Sequence, residues 1–456
     1  MKKQKMLALL FAAIMTMSVF AGCGGGGQAQ AGSEGGAEAS QTSQGGDKAA
    51  SGDKVTLKFL HKYVAEPFPQ LFEDLCKEYT DANPNVTIKI ETTTDDEIKD
   101  KLRVLMGSGD MPDIYQVWSG EYTKKFIRAG ATLDLTDYLA KDTEWKDSYI
   151  PAALGSFTYD NKTWGIPTRF DAMLYVYNKE LFTQAGIEKT PETWDEFIAI
   201  CEKLQGAGIT PFSFGNGIVW DAPHWYGALW GKCVPEEIMQ GQDYEVTTVK
   251  IDHPGYIKGL EYFKQLQPYF TPNVGSTDHE MLVQNFYAGK GAMAYLEMLE
   301  FQTVYDNMGD NFGWFPMPDI PGEEGDQDRI HGGPEGLCVS GYTANPDVTV
   351  DVLKHLTSPD AEKRKADAGH TSSLIGAMTS DNFCAQALEA MDWVLNETSG
   401  MIEWCDCGFE SRITEVLLKN GQDYIDERLT AEEYIGKMQE AANAVRAEYA
   451  GEAAAE

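Results

Sequence analysis

Apolar and polar residues alternate from Val55 to Leu60, the period of a half-buried strand. Phe68, Leu71, Phe72, Leu75, Cys76 and Tyr79 then recur at helical spacing until Asn83-Pro84 stops them. Val86, Ile88 and Ile90 share one face of a second strand. Ile98, Leu102 and Leu105 mark a second helix closed by Gly107-Ser108-Gly109, and Ile114 to Val117 reads as a buried strand. Strand, helix, strand, helix, strand predicts an α/β lobe whose parallel strands end along one edge, with the loops after Leu60 and Val117 beside each other there. Farther along, Thr193 to Glu196 has capping-box spacing ahead of the stripe Phe197, Ile200, Cys201 and Leu204, which ends near Gly206-Ala207-Gly208 and makes Trp194 structural. Pro211 to Gly231 is crowded with Trp220, His224, Trp225, Tyr226 and Trp230. Helical patterns resume from about Tyr256 and again from Thr277, and this alternation predicts a second α/β lobe.

Ahead of these elements, an apolar run from Met6 to Phe20 follows Lys2, Lys3 and Lys5 and is closed by Ala21 and Gly22. The run is shorter than the roughly 20 residues of a membrane-spanning helix and ends on small residues, so 1–22 reads as a cleaved signal peptide. Val19 to Cys23 resembles the lipobox of bacterial lipoproteins, in which the cysteine thiol takes a diacylglyceryl group; the resemblance implies lipidation at Cys23 and an anchor in the outer face of the bacterial cell membrane. From Gly24 to Asp53 the chain is dominated by Gly, Ala, Ser and Gln without an aromatic residue, a composition that cannot offset ordering entropy by burial. Residues 23–53 are therefore expected to form a lipidated, flexible tether, with a reach of roughly 30 Å for about 30 residues.

The remaining body, about Lys54 to Tyr449, is long enough for two lobes, and a 43% hydrophobic composition can fill both cores. A formal charge of -34 excludes nucleic acid as a partner. The acids are spread along the chain, the pattern of a solvated surface. One of eight cysteines is Cys23, and the odd number left has no disulfide-framework spacing. Cys405-Asp406-Cys407 is too isolated for a zinc site, so no metal and no cofactor is expected.

Several segments occur together in an ordered series: Phe157 to Pro167, Tyr177 to Phe182, Ala185-Gly186-Ile187, Pro191 to Phe197, Gly289 to Met293, Phe315 to Pro318, and Val350 to Leu356 followed by Thr357 to Asp360. This series resembles the signature of the extracellular solute-binding proteins, family 1, over essentially the whole body. The resemblance implies an α/β, two-lobe, periplasmic-binding-protein-like (Venus-flytrap) fold with a ligand cleft between the lobes and multiple hinge crossovers. It also implies a monomer that captures a solute, most often a sugar or oligosaccharide, and hands it to the transmembrane permease of an ATP-binding-cassette importer. The first lobe would combine 54–166 with 314–369, and the second 168–313 with 370–450, crossing at Pro167.

A sugar presents hydroxyls that suit carboxylates and amides, and C–H faces that stack on aromatic rings. The loop edge of the first lobe offers His61, Tyr63 and Glu66 after the first strand, and Gln116, Trp118 and Glu121 after the third. Asp171 follows Pro167 and resembles the carboxylate that contacts ligand hydroxyls in maltose-type members. Trp220 and Trp225 lie in the aromatic segment, whose density favours a platform from at least one of them. Gly332-Gly333 resembles a loop that lets backbone approach a solute, with a plain surface turn as the other reading, and Trp404 is a further aromatic candidate. After Met293 the family often carries a Gly-Ser-Trp-like group, whereas this chain reads Ala294 to Glu300 without tryptophan. Glu297 would then bring a polar contact into the cleft and open the way to a cationic solute such as a polyamine; alternatively Glu297 and Glu300 are solvated acids on a helix face.

A surface glycoside hydrolase would need paired carboxylates about a sugar. The chain has no nucleophile elbow, and His279-Glu280 continues as Met281-Leu282-Val283 rather than completing a metalloprotease motif. A binding protein rather than an enzyme is the expectation.

Overall fold

The structure is a computed structural model and describes residues 54–453; the expected signal peptide, Cys23 and the linker lie outside the described residues. Ten strands are present: β1 (Val55–His61), β2 (Val86–Thr92), β3 (Ile114–Trp118), β4 (Thr158–Tyr159), β5 (Lys162–Thr163), β6 (Ile166–Asn178), β7 (Met293–Glu297), β8 (Phe312–Phe315), β9 (Arg329–Val339) and β10 (Gly400–Ile402). Eight of them form one sheet in the order β2-β1-β3-β9-β6-β7, with β10 on β9 and β8 on β6. As expected for an α/β lobe, β1 pairs in parallel with both β2 and β3. The remainder of the main path, from β3 through β9 and β6 to β7, is antiparallel.

The long strand β6 joins two halves of the fold. Its first part, Ile166–Ala172, pairs with Gly332–Leu337 of β9, and its second part pairs with β7 from Met173 and with β8 from Tyr175. The chain thus changes partners midway along a continuous strand, between Ala172 and Met173. Strands of both halves are flanked by helices, giving a mixed α/β architecture.

Local chemistry accounts for most boundaries. In the helix Phe68–Ala82, Phe72, Leu75, Cys76 and Tyr79 form the buried stripe. The helix Asp95–Ser108 begins at Thr94, whose hydroxyl accepts from the Glu97 N–H, and ends at Gly109, whose φ of 73° suits a residue without Cβ. At Trp194–Gly206 the Thr193 hydroxyl accepts from the Glu196 N–H, but the Glu196 carboxylate accepts from the Glu192 N–H at 2.9 Å, so the capping box is only half formed. The aromatic segment holds a helix that periodicity missed, Asp221–Cys233. All thirteen of its residues are buried, so it has no polar face to reveal a helical period.

Two apolar cores lie on opposite faces of the sheet, and successive residues of β6 alternate between them. Phe170, Ala172, Leu174 and Val176 enter one, Met173 and Tyr175 the other. Trp225 corrects an expectation here. Its ring, 2% exposed, packs against Tyr175, Phe212, Phe214, Phe263, Phe270 and Tyr295, which commits it to the core rather than to a platform. Trp194 is likewise buried and donates from Nε1 to Gln265 at 3.0 Å. The seven cysteines of this body are free and buried. Trp225→Ala is expected to lower unfolding stability by about 3–5 kcal/mol, the cost of a large aromatic removed from a core. Urea titration followed by circular dichroism measures this, and an unchanged midpoint would contradict the core assignment.

Candidate functional site

The partner exchange along β6 sets Arg169 and Asp171 two residues apart on one face of the sheet. Arg169 is 7% exposed, and a buried guanidinium requires carboxylates. Its Nε lies 3.3 Å from Asp171 Oδ2, its Nη1 3.1 Å from Glu335 Oε1 on β9, and its Nη2 contacts Glu297 at the end of β7. Glu335 also receives Lys62 Nζ at 2.7 Å and Gln116 Nε2 at 2.9 Å, and Lys62 reaches Asp95. Asp171 accepts from Thr371 Oγ1 and the Ala172 N–H, each at 2.9 Å. Burial nonetheless pushes its carboxyl up to about 7, against the pull of Arg169.

The loop edge predicted for the parallel strands joins this network. Gln116 Nε2 donates to Tyr63 Oη at 3.2 Å, and Tyr63 Oη lies 2.7 Å from His370 Nε2. His61 is buried, with Nδ1 3.3 Å from the Tyr63 N–H, and burial pushes its imidazole down to about 4. The Trp118 ring has Lys62 Nζ at 4.7 Å and Lys99 Nζ at 4.6 Å from its centroid, cation–π distances. Two candidates from this edge stand apart. Glu66 is exposed in the loop beyond β1, and Glu121 is 2% exposed and ion-paired to Arg128 within its own helix, Glu121–Arg128, so its charge is already satisfied.

A second group continues from Glu297. The Glu297 N–H donates to Glu300 Oε2 at 3.0 Å, and Glu300 Oε1 lies 2.7 Å from His279 Nε2. His279 Nδ1 lies 2.7 Å from Asp221 Oδ1. Burial opposes a charge on His279, but Glu300 and Asp221 hold it well above its ordinary value and keep it protonated. The Trp220 ring sits 4.7 Å from His279 and 5.4 Å from His224, and His224 meets Trp404 edge-on at 4.8 Å. Glu297 and Glu300 are therefore not solvated acids on a helix face; they lie at a strand end and its following turn, each paired with a base.

Gly332 and Gly333 are also placed differently from expectation. They lie within β9 opposite Ala172 and Asp171, and not in a loop. A Cβ at 332 would meet the Asp171 carbonyl oxygen at 2.4 Å, and one at 333 would meet Glu403 Oε1 at 2.3 Å. Both glycines allow protein to approach protein. Trp404 Nε1 donates to the Gly333 carbonyl at 3.2 Å. Glu403 accepts from Ser119 Oγ at 2.6 Å and from the Trp404 N–H at 3.2 Å, and burial pushes its carboxyl up to about 7.

His61, Tyr63, Gln116, Asp171, Glu297, Trp118, Trp220, Gly333 and Trp404 are thus drawn into one connected cluster, whereas Glu66, Glu121 and Trp225 are not. Lys62, Arg169, Glu335, Asp221 and His279 were missed. Arg169 and Glu335 lie in strands that are buried along almost their whole length, a setting made by the pairing of distant segments rather than by any local spacing. Hollows of about 490 Å³ beside Ile187 and Pro191 and 680 Å³ beside Tyr149 and Asn161 are lined by none of these residues.

The sequence profile of the bacterial extracellular solute-binding proteins matches residues 62–363. The chain belongs to this family. An ABC transporter extracellular-binding protein of Pyrococcus horikoshii is 26% identical over 65% of this chain and 64% of its own length. A binding protein of Brucella abortus is 27% identical over 51% and 55%. The chain therefore spans between half and two thirds of these curated relatives. A multiple sugar-binding protein of Streptococcus mutans is 26% identical over 37% of this chain and 38% of its own. Among solved structures, a chitin oligosaccharide binding protein is 25% identical with a TM-score of 0.79, covering 87% of this chain and 100% of its own. The sugar-binding protein MalE of Xanthomonas citri shares the fold at 15% identity, with a TM-score of 0.68 over 88% and 100%.

In this solute-binding protein, Arg169, Asp171, Glu297 and Glu335 keep carboxylate oxygens and guanidinium hydrogens at fixed spacing; Trp118 and Trp404 are buried beside them, and Trp220, half-buried against His279, is the most open of the three rings. Such a set places hydrogen-bonding groups and aromatic rings side by side. The elevated Glu403 carboxyl has a consequence for stability. Its folded value of about 7 lies above the ordinary 4.5, so the folded state holds the proton more tightly. That stabilisation is fully present below about 4.5 and lost as pH rises through about 7. Glu403→Gln keeps a hydrogen-bonding amide without titrating. Urea midpoints at acidic and neutral pH are expected to differ less for Glu403→Gln than for the parent, and equal differences would contradict the buried, titrating carboxyl.

Proposed function

We propose that this chain is the lipid-anchored receptor of an ATP-binding-cassette importer, and that it captures a sugar or oligosaccharide outside the cell and delivers it unchanged to a membrane permease. The observation that carries the reading is the unbroken run of contacts from Trp118 through Lys62, Glu335, Arg169, Glu297, Glu300 and His279 to Trp220. Aromatic faces and satisfied polar groups meet in one place, as sugar recognition requires. The sugar-binding and chitin-oligosaccharide-binding relatives support the same class of solute. Acids free of any base would favour an amine, but Glu297, Glu300 and Glu335 are each engaged by Arg169, His279 or Lys62, which supports a sugar over a polyamine.

The lobes are assigned as 54–166 with 314–369 and 168–313 with 370–450, turning about the β6 crossover. Anchoring through Cys23 and the 23–53 tether would hold the receptor near its permease and raise its effective concentration there. Solute stabilises the closed form only through contacts it makes there and not in the open form.

Thermal unfolding against monosaccharides, oligosaccharides of differing linkage, polyamines and peptides tests this reading. A sugar at a thousandfold over its Kd should add about 4 kcal/mol of stability. Trp220→Ala should weaken that sugar by about 0.5–1.5 kcal/mol, up to roughly tenfold in Kd, if its ring stacks on the solute. A shift with polyamines alone would overturn the sugar assignment, and release of shortened products from an oligosaccharide would overturn the receptor assignment.

A further inference from the structure

A seam of contacts lies beside the aromatic and charged cluster. On one side are the helix Asp95–Ser108, the turn Ser119-Gly120 and the helix Glu121–Arg128; on the other are Glu245 and the segment 403–411. Lys99 Nζ lies 2.7 Å from Asp406 Oδ2, where the Asp406 side chain is 8% exposed. Ser119 Oγ donates to Glu403 at 2.6 Å, Lys124 pairs with Glu245, and Lys125 Nζ lies 3.5 Å from Ser411 Oγ. At the centre of the seam, a Cβ on Gly120 would stand 2.9 Å from Glu403 Cγ and 3.0 Å from the Cys407 carbonyl oxygen. Glycine at this position lets the two surfaces meet backbone to backbone.

Two ion pairs and a hydrogen bond span the seam with the bases all on one side. Lys99 and Lys124 come from one side and meet Asp406 and Glu245 from the other, and Ser119 donates to Glu403 between them. On the lobe division proposed above, the Lys99–Asp406, Ser119–Glu403, Lys124–Glu245 and Lys125–Ser411 contacts each join the first lobe to the second.

We infer that Lys99, Ser119 and Lys124 on the first lobe and Asp406, Glu403 and Glu245 on the second form an electrostatic closing latch, which sets solute affinity without touching the solute. The latch adds to the closed form a stabilisation that does not depend on what is bound. Apparent affinity then rises with the closed fraction, because a solute that needs the closed form binds more weakly in proportion to the rarity of that form. These residues act through closure and are positioning residues. Since the rim pair Lys124–Glu245 is part exposed, salt should weaken it; the Lys99–Asp406 pair is better shielded.

The inference rests on the two-lobe receptor reading, and its test needs no solute. Small-angle X-ray scattering of the full chain gives the radius of gyration for the parent, for Lys99→Glu, for Asp406→Lys and for the two combined, with thermal unfolding as a check on folding. Each single reversal is expected to raise the radius at low salt by placing like charges across the seam, and the combined swap to restore it. Raising NaCl from about 0.01 to 1 M, which shortens the Debye length from about 30 to 3 Å, should move the parent toward the larger radius. Should a reversal at the buried pair prevent folding, Lys124→Glu, Glu245→Lys and their combination make the same test at the rim, where side-chain exposures are 22% and 43%. Folded single variants with the parent's radius, or a combined swap as expanded as the singles, would overturn the latch. A chain that opens and recloses as described but responds to no sugar would leave the latch standing and overturn the sugar reading.

Discussion

The buried guanidinium of Arg169 constrains the rest of the structure. Removing such a charge from water costs several kcal/mol unless carboxylates surround it. Here they come from Asp171 on its own strand, Glu297 on β7 and Glu335 on β9. Glu335 and Glu297 reach it only if β6 pairs with β9 along its first half and with β7 along its second. A one-residue slip in either pairing would turn that strand's acid to the other face. Strand register, the change of partners between Ala172 and Met173 and the charge balance of the cluster are therefore one requirement. Lys62 extends it to the first lobe's loop edge, because Glu335 is shared between the two bases.

Much of the first lobe was legible because its elements bury one face and expose the other. The stripes of Phe72, Leu75, Cys76 and Tyr79, and of Ile98 and Leu102, carry their period in the sequence. Helix Asp221–Cys233 was not legible because burial on all sides erases that contrast. The same loss of contrast hid the difference between Trp220 and Trp225. Both stand in one aromatic segment, yet one packs on a charged histidine beside acids and the other among six aromatic rings.

The site was half legible for a related reason. Candidates near strand ends, such as Tyr63, Gln116 and Trp118, follow from the rule that α/β sheets present ligands at the carboxyl edge of their strands. Arg169 and Glu335 depend on pairing between distant segments, which no local pattern records. Gly332-Gly333 illustrates the limit in the other direction. A glycine pair signals close backbone approach, but only the fold says what approaches, and here it is the Asp171 carbonyl and the Glu403 side chain.

Stability alone does not explain a cluster of this kind, since well-packed apolar residues often serve as well or better in place of buried ion pairs. What charge and hydrogen bonding add is direction. Glu335 must face Arg169, Lys62 and Gln116 at once, and Glu300 must face both His279 and the Glu297 N–H, so the acids have few acceptable orientations. Holding the groups in place before a solute arrives removes part of the ordering cost of binding. In a protein whose halves share β6, that rigidity has a second effect. The network passes directly across the crossover through Arg169, so any relative turn of the two halves must either carry it intact or break a buried charge contact. On the proposed lobe division, the cheaper route is rotation about the crossover with the Arg169 cluster fixed, which would leave the seam at Gly120 and Asp406 as the surface that parts.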